Sequence, residues 1–195
     1  MKINRKDLRK LSDEEIWKLF KSGNNLAFEY IYQEYFDKLY NYGHQFTRDH
    51  ALVEDALQEL FLDLKRRSKY LSETDNILLY LYTAFRRKVI RFRDRSNKFE
   101  EFIPEKSFKI KSSIEAAIIE AELQQEYSRK LNLALEKLSE KHREIIYLFY
   151  YENFSYQEIK EIQGFEDVKS ARNLLYKAIN ALKTAIKYLP LLLLF

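Results

Sequence analysis

Near the C-terminus, Lys169, Arg172, Asn173, Tyr176 and Lys177 recur at spacings that place cationic and amide side chains on one helix face. Such side chains reach phosphate oxygens and base edges in a duplex groove, and residues 169–187 hold five positive charges and no negative ones. A second stripe, Tyr80, Arg87, Arg91 and Arg95, repeats at helical spacing with Arg86, Lys88 and Arg93 beside it. Aromatic rings along a cationic ridge suit single-stranded or melting DNA, where unpaired bases stack and phosphates need neutralising. A third set carries the opposite charge. Asp55, Gln58, Glu59 and Leu62 lie at i, i+3, i+4 and i+7, a face fit to dock a basic partner helix. Each set also reads as a plain solvated helix face, and the C-terminal pair of helices as an ordinary hairpin, so none decides alone.

Catalytic chemistry is poorly supplied. His44, His50 and His142 share no spacing that gathers metal ligands. The carboxylate pairs Glu14/Glu15, Glu54/Asp55 and Glu100/Glu101 fall on expected surfaces or linkers. There is no cysteine, which excludes disulfides, thiolate zinc sites and thiol nucleophiles. Gly23, Gly43 and Gly164 are too far apart to form a phosphate-cradling loop. The expectation is a protein that binds without a cofactor or metal, and is not an enzyme.

The elements that position these residues read as helices. Three glycines and two prolines among 195 residues leave too few turn residues for a sandwich or barrel. Ser12 with Glu15 forms a capping box before Ile16, Trp17, Leu19 and Phe20. Helices are expected over about Leu26–Phe46, rich in aromatics, and Asp49–Ser68, with Val53, Leu57, Leu60, Phe61 and Leu64 inward. The polar run Ser72–Asn76 reads as a loop ending in a cap. The helix after it turns Ile77, Leu78, Leu81, Phe85, Val89 and Phe92 inward. Pro104 and mixed charges mark a tether. Beyond it a long helix is expected from Ile114 to Leu138, then one capped by Ser139 carrying Ile145, Ile146, Leu148 and Phe149. Ser155 with Glu158 is a second capping box, Gly164 fits a left-handed helix end, and a last helix over Val168–Tyr188 buries Leu174, Leu175, Ile179 and Leu182, with Pro190 closing it. This helix–turn–helix is the arrangement that brings a second helix into a major groove.

Net charge is +4, but residues 63–95 carry +6 and residues 169–195 carry +5, two basic blocks facing a polyanion. The N-terminus lacks the apolar run of a secretory signal, and the tail Leu189–Phe195 is too short to span a membrane. A soluble, cytoplasmic protein without membrane insertion is expected.

Two motifs carry a family resemblance. Asp55-Ala56-Leu57-Gln58-Glu59-Leu60-Phe61 resembles the D-x-x-Q-E-x-F signature of bacterial sigma factors in the sigma-70 superfamily. Leu135–Ile146 and Phe154–Ile162 resemble that superfamily's fourth conserved region, and Val168–Ala178 its recognition helix. With regions two and four and a short linker, the layout resembles the extracytoplasmic-function (ECF) group. The resemblance implies an alternative sigma factor that binds core RNA polymerase and directs initiation at selected promoters. It implies that Asp55, Gln58, Glu59 and Leu62 grip the β′ clamp helices, and that the second domain meets the β flap. Tyr70 to Asn76 would form the loop that pockets a flipped base of the minus-ten element, with Tyr80, Arg86, Arg87, Arg91 and Arg95 on the helix beside it. Lys169, Arg172, Asn173, Tyr176 and Lys177 would face the minus-thirty-five element. Arg87 stands where the family usually has asparagine, and the turn Gly164–Val168 is shorter than the common form.

The expected organisation is all-α in two helical domains. Residues 1–96 form the region-two domain, 97–127 the linker and the start of the long helix, 128–188 the helix-turn-helix domain and 189–195 an apolar tail. That tail would pack on the second domain, fray, or engage an anti-sigma factor. Two rival readings stand beside this one: a helix-turn-helix regulator that binds duplex DNA without polymerase, and a helical adaptor that docks a protein through its acidic face.

Overall fold

The computed structural model describes residues 5–96 and 129–192, with side chains over 7–96 and 129–187. The expected linker, and the part of the long helix before residue 129, lie outside the described residues. Those residues form two compact units, one on each side of that gap, and no strand occurs among them.

The first unit comprises α1 (Arg5–Leu8), α2 (Asp13–Lys21), α3 (Asn25–Gly43), α4 (His50–Arg67), a 3-10 turn (Ser68–Tyr70) and α5 (Ile77–Ser96). Its helices start where side chains satisfy otherwise orphaned N–H groups. Glu15 accepts from the Ser12 N–H at 2.8 Å while the Ser12 hydroxyl accepts from the Glu15 N–H at 3.3 Å. The Asn24 side chain accepts from Leu26 and Ala27, Asp49 from Leu52, and Asn76 from Leu79. At the start of α5 the Ile77 N–H also donates to Asp13 of α2 at 2.8 Å, tying two helix starts far apart in sequence.

The core packs α5 against α4 and α3. Val53, Leu57, Leu60, Phe61 and Leu64 are buried as expected, as are Ile77, Leu81, Phe85 and Val89, whereas Leu78 and Phe92 are half-buried. Tyr42 and Tyr82 stack at 4.6 Å in the centre. Gly43, which the sequence leaves without a role, sits where these helices converge. A Cβ there would lie 2.6 Å from Val53 Cγ1 and 3.2 Å from Phe85 Cζ, so a hydrogen side chain is needed for α4 and α5 to approach α3. Helix α3 stops at Gly43 rather than running on to Phe46. The Gln45 and Phe46 N–H groups donate to Tyr42 and Gly43, a tightened last turn that tucks the Phe46 ring into the core.

The second unit comprises α6 (residues 129–136), α7 (Glu140–Ile146), a π-helical turn (Tyr147–Tyr151), α8 (Tyr156–Gln163) and α9 (Val168–Leu192). Ser139 and the Ser155/Glu158 box cap as expected, and Gly164 takes the left-handed conformation at φ 71° and ψ 34°. Three expectations are corrected. The wide π turn rotates the chain, so Phe149 is half-buried while Ile145, Ile146 and Leu148 remain in the core. The buried stripe of α9 is Ala171, Leu175 and Ala178, with Leu174, Ile179 and Leu182 half-buried on its flanks. Two alanines let α9 lie close to α7 and α8, which moves the bulkier side chains to the edges. Finally, α9 continues through Pro190 to Leu192. Proline withholds its own N–H, but its fixed φ is helical, so one lost bond does not end the helix here.

Candidate functional surfaces

The buried stripe of α4 determines what its other side can offer. With Val53, Ala56, Leu57, Leu60, Phe61 and Leu64 inward, Asp55 and Gln58 are exposed, Leu62 is 43% exposed, and Glu59 lies at the edge. Beside this ridge runs a groove between α3 and α4, lined by Phe28, Tyr32, Phe36, Phe61, Leu62 and Lys65. Its wall is a ladder of rings: Tyr32 lies 4.8 Å from Phe61 and 5.1 Å from Phe36, which stacks on Tyr40 at 6.2 Å. Sequence reasoning noted these aromatics without assigning them a surface. Helix α3 holds two adjacent stripes at i+4 spacing: 27, 31, 35 and 39 are buried, and 28, 32, 36 and 40 remain partly open. The second stripe was the available signal.

The acidic and basic sets treated separately in the sequence meet in the structure. Glu59 Oε1 lies 3.0 Å from Lys88 Nζ and 2.7 Å from Arg91 Nη2. Lys88, only 12% exposed, also pairs with Asp63. The Lys88 hydrogen bond holds the Asp63 carboxyl below its ordinary pKa. A cation as enclosed as Lys88 needs both carboxylates, because an unpaired buried charge is strongly destabilising. Glu59 is therefore committed inward, and Arg91 is engaged on α5.

The loop between α4 and α5 is anchored from below. The fully buried Trp17 donates its indole N–H to the Ser72 carbonyl at 2.8 Å, and its ring lies 4.8 Å from Tyr80. Tyr80 is thus half-buried against the core, and that burial raises the pKa of its hydroxyl. Tyr70 stands out at 85% exposed. Asn76 caps α5, and Arg86 lies over the Phe46 ring at 6.0 Å. Arg87 and Arg95 are exposed. At the opposite corner, His44 caps α3 and its ring lies 4.5 Å from that of His50, whose Nδ1 meets the Tyr40 hydroxyl at 2.7 Å. Burial pushes the His44 pKa down.

In the second unit, α8, the Gly164 turn and α9 present Lys169, Arg172, Asn173, Tyr176 and Lys177 together on the outer face of α9, with Tyr176 70% exposed. Asp167 starts this helix by accepting from the Ser170 N–H at 2.7 Å, which holds its carboxyl below the usual pKa. The Arg172 guanidinium lies 5.4 Å from the centre of the Tyr156 ring. Among the described residues no group of three or more histidine or acidic side chains is placed to hold a metal, and no helix is long and apolar enough to cross a membrane.

Two family models match the chain: Sigma-70 region 2 over residues 31–99, and Sigma-70, region 4, over residues 128–182. The acidic ridge, the α4–α5 loop and α5 through Ser96 fall in the first match, and the outer face of α9 in the second. Among solved structures, CnrH in complex with the cytosolic domain of CnrY is 18% identical with a TM-score of 0.62, over 90% of this chain and 97% of that one. The sigma factor RpoE of Bartonella quintana, in complex with the anti-sigma factor NepR, is 21% identical with a TM-score of 0.59, over 80% and 95%. At such identities the likeness is one of fold. No curated protein matches the chain.

Proposed function

The chain belongs to the sigma-70 family and is an alternative sigma factor of the extracytoplasmic-function layout that directs transcription initiation, and from that premise we propose how its surfaces divide the work. The family is a set of non-enzymatic initiation factors that bind core RNA polymerase and promoter DNA. In this reading polymerase supplies all the chemistry, in the cytoplasm, and this protein supplies address and melting.

Residues 1–96 dock the polymerase β′ clamp helices and open the minus-ten element. Residues 128–188 dock the β flap and read the minus-thirty-five element, and residues 97–127 join them. Asp55, Gln58 and Leu62 are the outward docking residues, and Glu59 supports them from the Lys88 network. Tyr70 and the loop fastened by Trp17 receive an extruded base, while Arg87 and Arg95 neutralise the backbone beside it and Arg91, paired with Glu59, ties that helix to the docking ridge. Extruding a base costs about a few kcal/mol, which those contacts offset. Docking one domain raises the effective concentration of the other for its target. The solved RpoE structure of similar fold is a complex with the anti-sigma factor NepR, which supports an anti-sigma factor as a further partner here.

One observation carries this reading: Asp55, Gln58 and Leu62 stand outward on one ridge of α4, beside an open aromatic groove. The test is association with core polymerase after Asp55→Lys with Leu62→Lys, leaving Glu59 in place because it holds Lys88. Polymerase association is expected to be lost while both units keep their melting temperatures. Unchanged association rejects the docking assignment and returns weight to a regulator that binds duplex DNA by itself.

A further inference from the structure

On the outer face of α9 one side chain lies over an aromatic ring of the preceding helix. Arg172 lies over the ring of Tyr156 at 5.4 Å. That ring stacks on Phe149 at 5.0 Å and 30°, and Phe149 meets Tyr150 edge-on at 5.0 Å. Tyr156 is the first residue of α8, so its backbone is set by the Ser155 capping box, in which the Ser155 N–H donates to Glu158 at 2.8 Å. The π-helical turn Tyr147–Tyr151 carries Phe149 to its half-buried place behind the Tyr156 ring. Arg172 therefore lies at one end of a column, Tyr150–Phe149–Tyr156–Arg172, whose middle members are set by a turn and a cap of the same unit and whose far end, Tyr150, is also exposed.

A guanidinium placed over a ring can meet it with its flat face and keep its in-plane N–H donors for a second partner. Those donors match two acceptors side by side, and in a major groove that pair is the O6 and N7 of guanine. An arginine already held on a ring loses less side-chain freedom on contact than one that samples solvent. We propose that Tyr156 is a positioning residue that holds Arg172 for bidentate readout of a guanine in the upstream promoter element. The inference rests on α9 being the helix that faces that element. It adds a specificity determinant outside α9, on the helix before it.

The experiment uses holoenzyme assembled from core polymerase and the full chain, with a duplex pool randomised over the minus-thirty-five element as probe. After selection and sequencing, the wild type is expected to enrich guanine at one position, and Arg172→Ala to lose that enrichment. Tyr156→Phe, which keeps the ring, should retain it. Tyr156→Leu should weaken it about two- to fivefold at that position alone, the range of an exposed cation–π contact. In an Arg172→Ala background, Tyr156→Leu should then have no further effect. The proposal is overturned if Tyr156→Leu leaves the enrichment unchanged, lowers every position equally as lost phosphate contact or misfolding would, or acts equally without Arg172. If instead Arg172→Ala alters no position while the holoenzyme still initiates, the placement of α9 on DNA fails, a distinct result.

Discussion

Replacing Gly43 by alanine should destabilise the first unit, although alanine is the better helix former. The added methyl would stand 2.6 Å from Val53 Cγ1 and 3.2 Å from both Val53 Cγ2 and Phe85 Cζ. Carbon atoms in contact prefer about 3.5–4.0 Å, so one neighbour must retreat by roughly 1 Å. Val53 cannot swing aside easily, because a β-branched side chain on a helix has one strongly preferred rotamer, and Phe85 is fully buried. Overpacking of this kind costs about 1–3 kcal/mol. The gain in helix propensity is at most about 1 kcal/mol and smaller at a helix end. The expected balance is a loss of about 1–2 kcal/mol, which lowers the melting temperature of a unit this size by roughly 4–16 °C. Trp17 is the single tryptophan of the chain and is fully buried in this unit, so its fluorescence follows this unit's unfolding in the full-length protein. Gly43→Ala combined with Val53→Ala should lose less stability than the sum of the two single changes, since the new methyl occupies the space vacated. A Gly43→Ala protein as stable as the wild type, or an additive pair, would refute the close approach of α3 and α4 at this point.

Two further outcomes follow from charge. If the basic helices neutralise roughly five phosphates, the logarithm of holoenzyme–promoter affinity should fall against log salt with a slope of about −4.5, and a flat response would contradict DNA contact by these faces. His44, its pKa lowered by burial, favours the neutral imidazole in the folded state. Its contribution to stability is therefore complete above the unfolded value of about 6.5 and is lost as pH falls through the lowered folded value. Trp17-detected melting between pH 8 and 5.5 should show that loss, and His44→Asn should flatten it; parallel curves would exclude His44 as its source.

Local features were legible in the sequence because their causes are local. The Ser12/Glu15 and Ser155/Glu158 boxes, the left-handed Gly164 and the inward stripe of α4 each depend on residues within one or two turns. Gly43 was opaque because its reason lies in Val53 and Phe85, on two other helices. The pairing of Glu59 with Arg91 was likewise hidden, since each residue reads as part of a separate surface until α4 and α5 pack together. The inward stripe of α9 was misplaced for a related reason. Hydrophobicity favours Leu174 and Leu182, but close helix packing selects Ala171 and Ala178. Periodicity also cannot register the π turn after α7, which moves Phe149 off its expected face and places it behind Tyr156.

The central claim is that this chain directs RNA polymerase to promoters through two binding domains. Run-off transcription from fragmented genomic DNA, with core polymerase in the presence and absence of the full chain, tests it most directly. The account predicts discrete transcripts that require the protein, start at a limited set of sites sharing two upstream elements, and disappear with Asp55→Lys and Leu62→Lys. Transcripts identical with and without the protein, or unaffected by those substitutions, would contradict it.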